Sequence, residues 1–219
     1  TCHTDLSPYQ GITAYLNKDG GNMGFRFRFA GMSNGFLKIS YNIAQYTDWT
    51  HIALTFDRSD ATKVVITAYV NYQKVGSVTQ DVTAGSSFDY GDGNNFVVGA
   101  YNKAAWTDNS GLNASSGYNL STAGVTIYRG VAPIGAVQTY FENYLDGMEL
   151  PENAIQARFT FADGTTANSV ADSSVTMTKN ENATETIVDG KDGDEDKAIQ
   201  INSKSAYYDV NGFDVSTGS

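Results

Sequence analysis

Between Gly24 and Ala30 the chain alternates: Phe25, Phe27 and Phe29 have one parity, Arg26 and Arg28 the other. A β-strand turns successive side chains to opposite faces, so this pattern predicts a strand with one face in a core. Comparable short runs follow in FLKISYNI from Phe36, HIALTF from His51, KVVITAYVN from Lys63, QKVGSVTQ from Gln73 and NFVVGAY from Asn95. Further on come GVTIYR from Gly124, ARFTF from Ala157, SVTMT from Ser174, KAIQIN from Lys197 and SAYYDV from Ser205. Each is rich in β-branched or aromatic residues and bounded by Gly, Asn, Asp or Ser, which supply turns. Asn71-Tyr72-Gln73 and Ser33-Asn34-Gly35 are turn candidates. The expectation is an all-β chain of two stacked antiparallel sheets.

One segment has a different period. After Pro133, the residues Ile134, Val137, Phe141, Tyr144 and Leu145 recur at spacings of three and four. Proline is tolerated in a first helical turn and Gly147 can end the run, so one short amphipathic helix is predicted near 134–146. Its aromatic stripe reads as packing. Residues 148–153, with Pro151, read as a connector, and 180–196 as an exposed loop carrying seven acids against Lys191 alone.

Composition narrows the possible partners. With 219 residues, 41% hydrophobic and 17% charged, the chain is long enough for one large core and too apolar for disorder. Its 14 basic against 24 acidic residues give a net charge of −10, which repels phosphate backbones and anionic headgroups. Neither nucleic acid binding nor direct membrane insertion is expected, and no run approaches the roughly 20 apolar residues of a membrane helix. The start of the chain lacks a charged-then-apolar leader pattern, so any export signal is expected to have been removed already. Cys2 is the single cysteine, which excludes a disulfide framework and a cysteine zinc cluster.

The run DWTHIALTFD (Asp48 to Asp57), then ITAYVNYQKVGS, then FVVGAYN, resembles laminin-G-like, concanavalin-A-like jelly-roll modules. Tyr72 stands where that family usually has glycine, which predicts a different turn within the same fold. VTIYRGVAPIGAVQTYF resembles the family's closing strand and terminal helix. ARFTFADGTTANSVADSS and VDGKDGDEDKAIQINSKSAYYDV resemble its opening strands, so the opening stands after the close. The resemblance implies an all-β two-sheet jelly-roll in which 1–147 form the main part and 154–219 complete the same sandwich. The alternative is that 154–219 begin a second module. Strands near Phe159, Ile199 and Tyr207 are expected to pair with those near Phe27, Ile39 and Leu54. The family's central strand is missing, so its slot is expected to be filled by residues near Thr1 to Gln10 or by strand complementation from another chain segment.

Catalysis finds no support in the pattern. Glycoside hydrolysis needs two carboxylates facing one cleft, and the nearest candidates, Glu142, Asp146 and Glu149, fall in the helical segment. The only histidines are His3 and His51, and no nucleophile elbow is present. His51 reads as a partly buried strand residue and Trp49 as core. The chain is therefore expected not to be an enzyme.

Two loops carry candidate binding chemistry. Asp189, Asp192, Asp194 and Asp196, with Gly190 and Gly193 between them, offer hard oxygen ligands for Ca2+ at the sheet rim, against the plainer reading of a solvated acidic loop. The run is no EF-hand, since Lys197 takes the glycine position and Ser203 the final glutamate. The loop 101–119 offers Trp106 beside Tyr101, Asn102, Asp108, Asn109, Asn113 and Tyr118. An aromatic ring stacks on a sugar's apolar face while amides and carboxylates bond its hydroxyls; an edge anchor is the competing role for Trp106. The resemblance implies a secreted or cell-surface, non-catalytic carbohydrate-binding or accessory module of a glycan-processing protein. The alternative is an adhesion module that meets another surface protein, or a structural spacer.

Overall fold

The structure, a computed structural model, describes residues 2–3, 11–16, 22–28, 37–84, 96–98, 101–102, 112–113, 120–128, 130–143, 155–161, 165–170, 173–179, 185–190, 198–201 and 208–212. The chain is mostly β. In order come β1 (Cys2–His3), β2 (Gly11–Leu16), β3 (Asn22–Arg28), β4 (Leu37–Asn42), β5 (Ile52–Asp57), β6 (Lys63–Val70) and β7 (Gln73–Asp81). Short strands β8 (Phe96–Val98), β9 (Tyr101–Asn102), β10 (Leu112–Asn113), β11 (Leu120–Thr122) and β12 (Val125–Tyr128) precede the helix α1 (Ile134–Asn143). The last are β13 (Ile155–Phe159), β14 (Thr176–Lys179), β15 (Glu185–Val188), β16 (Ala198–Ile201) and β17 (Tyr208–Asn211).

The chain forms two compact units interleaved in sequence: Thr1–Gly11, Tyr90–Ile127 and Gln156–Asp214 make one, Ile12–Asp89, Tyr128–Ile155 and Val215–Ser219 the other. In the second unit, β2, β3 and β4 lie side by side, and β5, β6 and β7 form a meander. The β3–β4, β5–β6 and β6–β7 ladders are antiparallel, with Phe25 directly opposite Ile39. Central β6 buries Val64, Ile66, Ala68 and Val70 completely, so this unit's core follows the period of two in KVVITAYV. Burial of each of Val64, Ile66 and Val70 contributes about 1.5–3 kcal/mol. Thr67, buried on the other parity, has its hydroxyl satisfied 3.0 Å from that of Ser77 across the ladder. Between Ala68 and Tyr69 the register shifts and β7 carries an extra residue, Val75, a β-bulge. Beside the bulge, Gly76 leaves room for the neighbouring strand: a Cβ there would stand 2.5 Å from Ile39 Cγ2.

The hairpin between β6 and β7 turns on two residues, Asn71 (φ 45°) and Tyr72 (φ 64°). Positive φ at both is what a type I′ turn requires and what a right-handed strand pair favours. Tyr72 thus takes a left-handed backbone that tyrosine rarely adopts. His51 offsets its strain, stacking on the Tyr72 ring at 4.4 Å. The His51 N–H donates to Asn71 Oδ1 and the Asn71 N–H to the His51 carbonyl, both at 2.8 Å.

In the first unit, β14–β17–β8 and β11–β16–β15 are three-stranded and β12–β13 a pair. Tyr208 stands opposite Val98, and Ile199 opposite Thr122. The strands after residue 154 thus take partners at 96–98, 120–122 and 125–128, where the sequence pointed to those near Phe27, Ile39 and Leu54. The core joins Ala157, Phe159, Phe161, Val175, Met177, Ile199, Tyr208 and Val210, with Val125 and Ile127 packed against them. Phe161 is fully buried at φ 56° with its ring 5.7 Å from that of Tyr208, so packing holds a backbone conformation that aromatic residues rarely adopt.

All eleven sequence-read strands appear, NFVVGAY split between β8 and β9. The helix begins as expected, with the Pro133 carbonyl accepting from Ala136 and Val137, and is described to Asn143. The segment 180–196 is corrected: Glu185–Val188 form β15, paired along its length with β16. The β-branched run Thr186, Ile187 and Val188 is bounded by Glu185 and Asp189, which mask it as a strand.

Candidate functional site

Of the proposed sugar-binding residues, Tyr101 and Asn102 form β9, and Asn113 lies on β10. The two strands pair antiparallel, Asn102 opposite Leu112 and Tyr101 opposite Asn113. This register closes the connection 103–111 at its base, and Trp106, Asp108 and Asn109 belong to that connection. Trp106, Asp108, Asn109 and Tyr118 lie outside the described residues.

The proposed calcium ligands fall on a second connection. Val188 on β15 faces Ala198 on β16, so 189–197 join the ends of one hairpin. Asp189 is exposed at its start and Gly190 is buried. Asp192, Asp194 and Asp196 lie outside the described residues, among which no cluster of three metal-ligating side chains occurs.

Glu142 is on α1, and Asp146 and Glu149 lie outside the described residues. His51 is half-buried immediately before β5 and serves the β6–β7 turn. Trp49 requires correction: it precedes β5 and is half-buried, not part of the core. The Asp48 carboxylate accepts its backbone N–H at 2.7 Å, and this local turn ends before the strand begins.

The connection from β4 to β5 was not singled out in the sequence, although Tyr41, Tyr46 and Trp49 are closely spaced there. It is fixed by short-range bonds. Asn42 Oδ1 accepts from the Ala44 N–H at 2.9 Å, the Ile43 carbonyl from Tyr46 at 2.9 Å, and the Asp48 carbonyl from the Thr50 hydroxyl at 2.9 Å. The Tyr41 and Tyr46 hydroxyls are 3.3 Å apart with ring centroids at 6.5 Å, and Gln45 Nε2 reaches the Tyr41 oxygen at 3.5 Å. The hydrogen bond with Tyr46 holds the Tyr41 hydroxyl above the ordinary tyrosine range, with its proton retained. Tyr41, Tyr46 and Trp49 are half-buried, whereas Asn42, Gln45, Thr47 and Asp48 are exposed.

Two further carboxylates are tuned by the next turn. Asp57 lies below the ordinary carboxylate range because the Ser59 backbone N–H, followed by its side chain, bonds the charged form. Asp60 is lowered first by the Thr62 hydroxyl at 2.7 Å and then by the Thr62 N–H at 2.8 Å. Both are turn-forming bonds.

Comparison with known proteins adds no relative: no family model, no curated protein and no solved structure matches the chain.

Proposed function

We propose that the chain is a non-catalytic carbohydrate-binding module of jelly-roll, laminin-G-like architecture, belonging to a secreted or cell-surface glycan-processing protein. The observation that supports this reading is the β9–β10 register. The sequence between these paired strands carries Trp106, Asp108 and Asn109, an aromatic side chain with a carboxylate and an amide. Binding on this scheme is shallow and polar, with stacking on the indole as its main apolar term. The net charge of −10 favours neutral glycans over anionic ones.

A glycan array followed by calorimetry tests this reading. Trp106→Ala is expected to weaken binding by about 1 kcal/mol or more, with the thermal transition little changed. Absence of any saturable sugar signal would overturn it and leave protein adhesion as the remaining role. Release of reducing ends from polysaccharides by the repurified protein would overturn its non-catalytic part.

A further inference from the structure

The β4–β5 connection has a surface chemistry of its own. Tyr41 and Tyr46 are half-buried, and their hydroxyls, 3.3 Å apart, are extended by the Gln45 amide into a row of three polar groups. Two neighbouring hydroxyls on rigid rings match the paired hydroxyls of a pyranose, and a tyrosine face accepts the C–H side of the same sugar. The turn bonds at Asn42, Ile43 and Asp48 hold these groups in place without help from a ligand, so little ordering entropy is lost on binding. The surrounding exposed side chains, Asn42, Thr47 and Asp48, are polar and short. Such groups can hydrogen-bond the hydroxyls of a sugar seated on the tyrosines.

We propose that this connection is a second contact surface for neutral glycans, in which Tyr41, Gln45 and Tyr46 bind the sugar and Trp49 lies next to them along the chain. The inference rests on the carbohydrate-binding reading above but uses different residues from the 101–119 loop.

The chain has two tryptophans, one for each surface. Trp106→Phe leaves Trp49 as the sole indole reporter, and Trp49→Phe leaves Trp106. Each variant is titrated with neutral hexasaccharides of glucose, mannose, galactose and N-acetylglucosamine while tryptophan emission is followed. The expected result is a saturable change of Trp49 emission in the Trp106→Phe protein. Adding Gln45→Ala or Tyr46→Ala should weaken that change at least fivefold, and Gln45 is exposed enough that its loss leaves the fold intact by circular dichroism. A response from Trp106 alone would overturn this inference and leave the loop site standing. Silence from both reporters would overturn both readings. A Trp49 response that Gln45→Ala and Tyr46→Ala leave unchanged would overturn the assigned contacts.

Discussion

Gly212 and Gly130 both have positive φ, 83° and 73°, but only Gly212 is crowded: a Cβ there would lie 2.6 Å from the Ser174 carbonyl oxygen, whereas at Gly130 nothing lies within 4 Å. Gly130→Ala is therefore expected to cost only the left-handed backbone strain, about 1–2 kcal/mol. Gly212→Ala adds a collision with backbone and should exceed it, at roughly 3 kcal/mol or more. Chemical denaturation of the two variants checks the order, and equal costs would show that the strand yields at Ser174. Tyr72 shows what sequence reading cannot see at this scale. A residue type reveals its own preference for φ but not the neighbour that compensates for violating it, and here the neighbour, His51, is 21 residues away. His51→Ala should destabilise the wild type more than it does a Tyr72→Gly protein, where there is no ring to stack and no strain to offset. Trp49 was misread for a related reason, since its motif suggested a strand while the Asp48 turn ends just short of one.

Among the elements, the segment around Asn168 depends most on a single side chain. Its Oδ1 accepts from the Arg158 and Val170 N–H groups at 3.1 and 3.0 Å, and its Nδ2 donates to the Val175 carbonyl at 3.0 Å. Asn168→Ala removes all three bonds and should cost about 2–4 kcal/mol, measurable as a lower urea midpoint. The turn from β5 to β6 makes a prediction in pH. Asp57 and Asp60 have folded-state pKa values below their unfolded ones, so their contribution is present above the ordinary value of about 3.9 and is lost as pH falls through the lowered values. Both carboxylates are near solvent, so the contribution is small and best read from the carboxyl titration by NMR. Thr62→Val should raise the Asp60 midpoint and leave Asp57 unmoved. The elements themselves were largely legible, because alternation such as that of Val64, Ile66, Ala68 and Val70 directly records which side faces the core. β15 escapes a reading of the sequence because three residues between acids, Thr186 to Val188, are too few for a period to stand out.

The pairing scheme of the whole molecule was the least legible. Alternation says which face is buried but carries no address for the neighbouring strand, so β17 could not be assigned to β8, or β16 to β11, before the fold was known. The candidate site was legible only as a list of residue types: the register of Tyr101 and Asn113 is written in backbone geometry, and the Tyr41–Tyr46 pair gave no motif to recognise. Interleaving also makes a prediction. Fragment 1–150 holds β8, β11 and β12, and fragment 151–219 holds their partners in the β14–β17–β8, β11–β16–β15 and β12–β13 sheets. The shorter fragment should be unstructured alone by circular dichroism, and mixing the two should restore one complex on gel filtration. A folded 151–219 fragment would show that the first unit's core closes without β8, β11 and β12.

The span between β8 and β17 also matters during synthesis. Val98 must wait for Tyr208, about 110 residues later, which at roughly 5–20 residues per second is on the order of 5–20 s. The β5–β6–β7 meander, by contrast, is complete within a single stretch of 30 residues, Ile52 to Asp81, and can form as it emerges from the ribosome. The meander therefore folds on the translating chain, while the edge of β8 stays open to wrong partners until the last strands arrive. Slow codons placed between β7 and β8 would leave folding yield unchanged, whereas slow codons between β12 and β17 would lengthen that exposure and lower it.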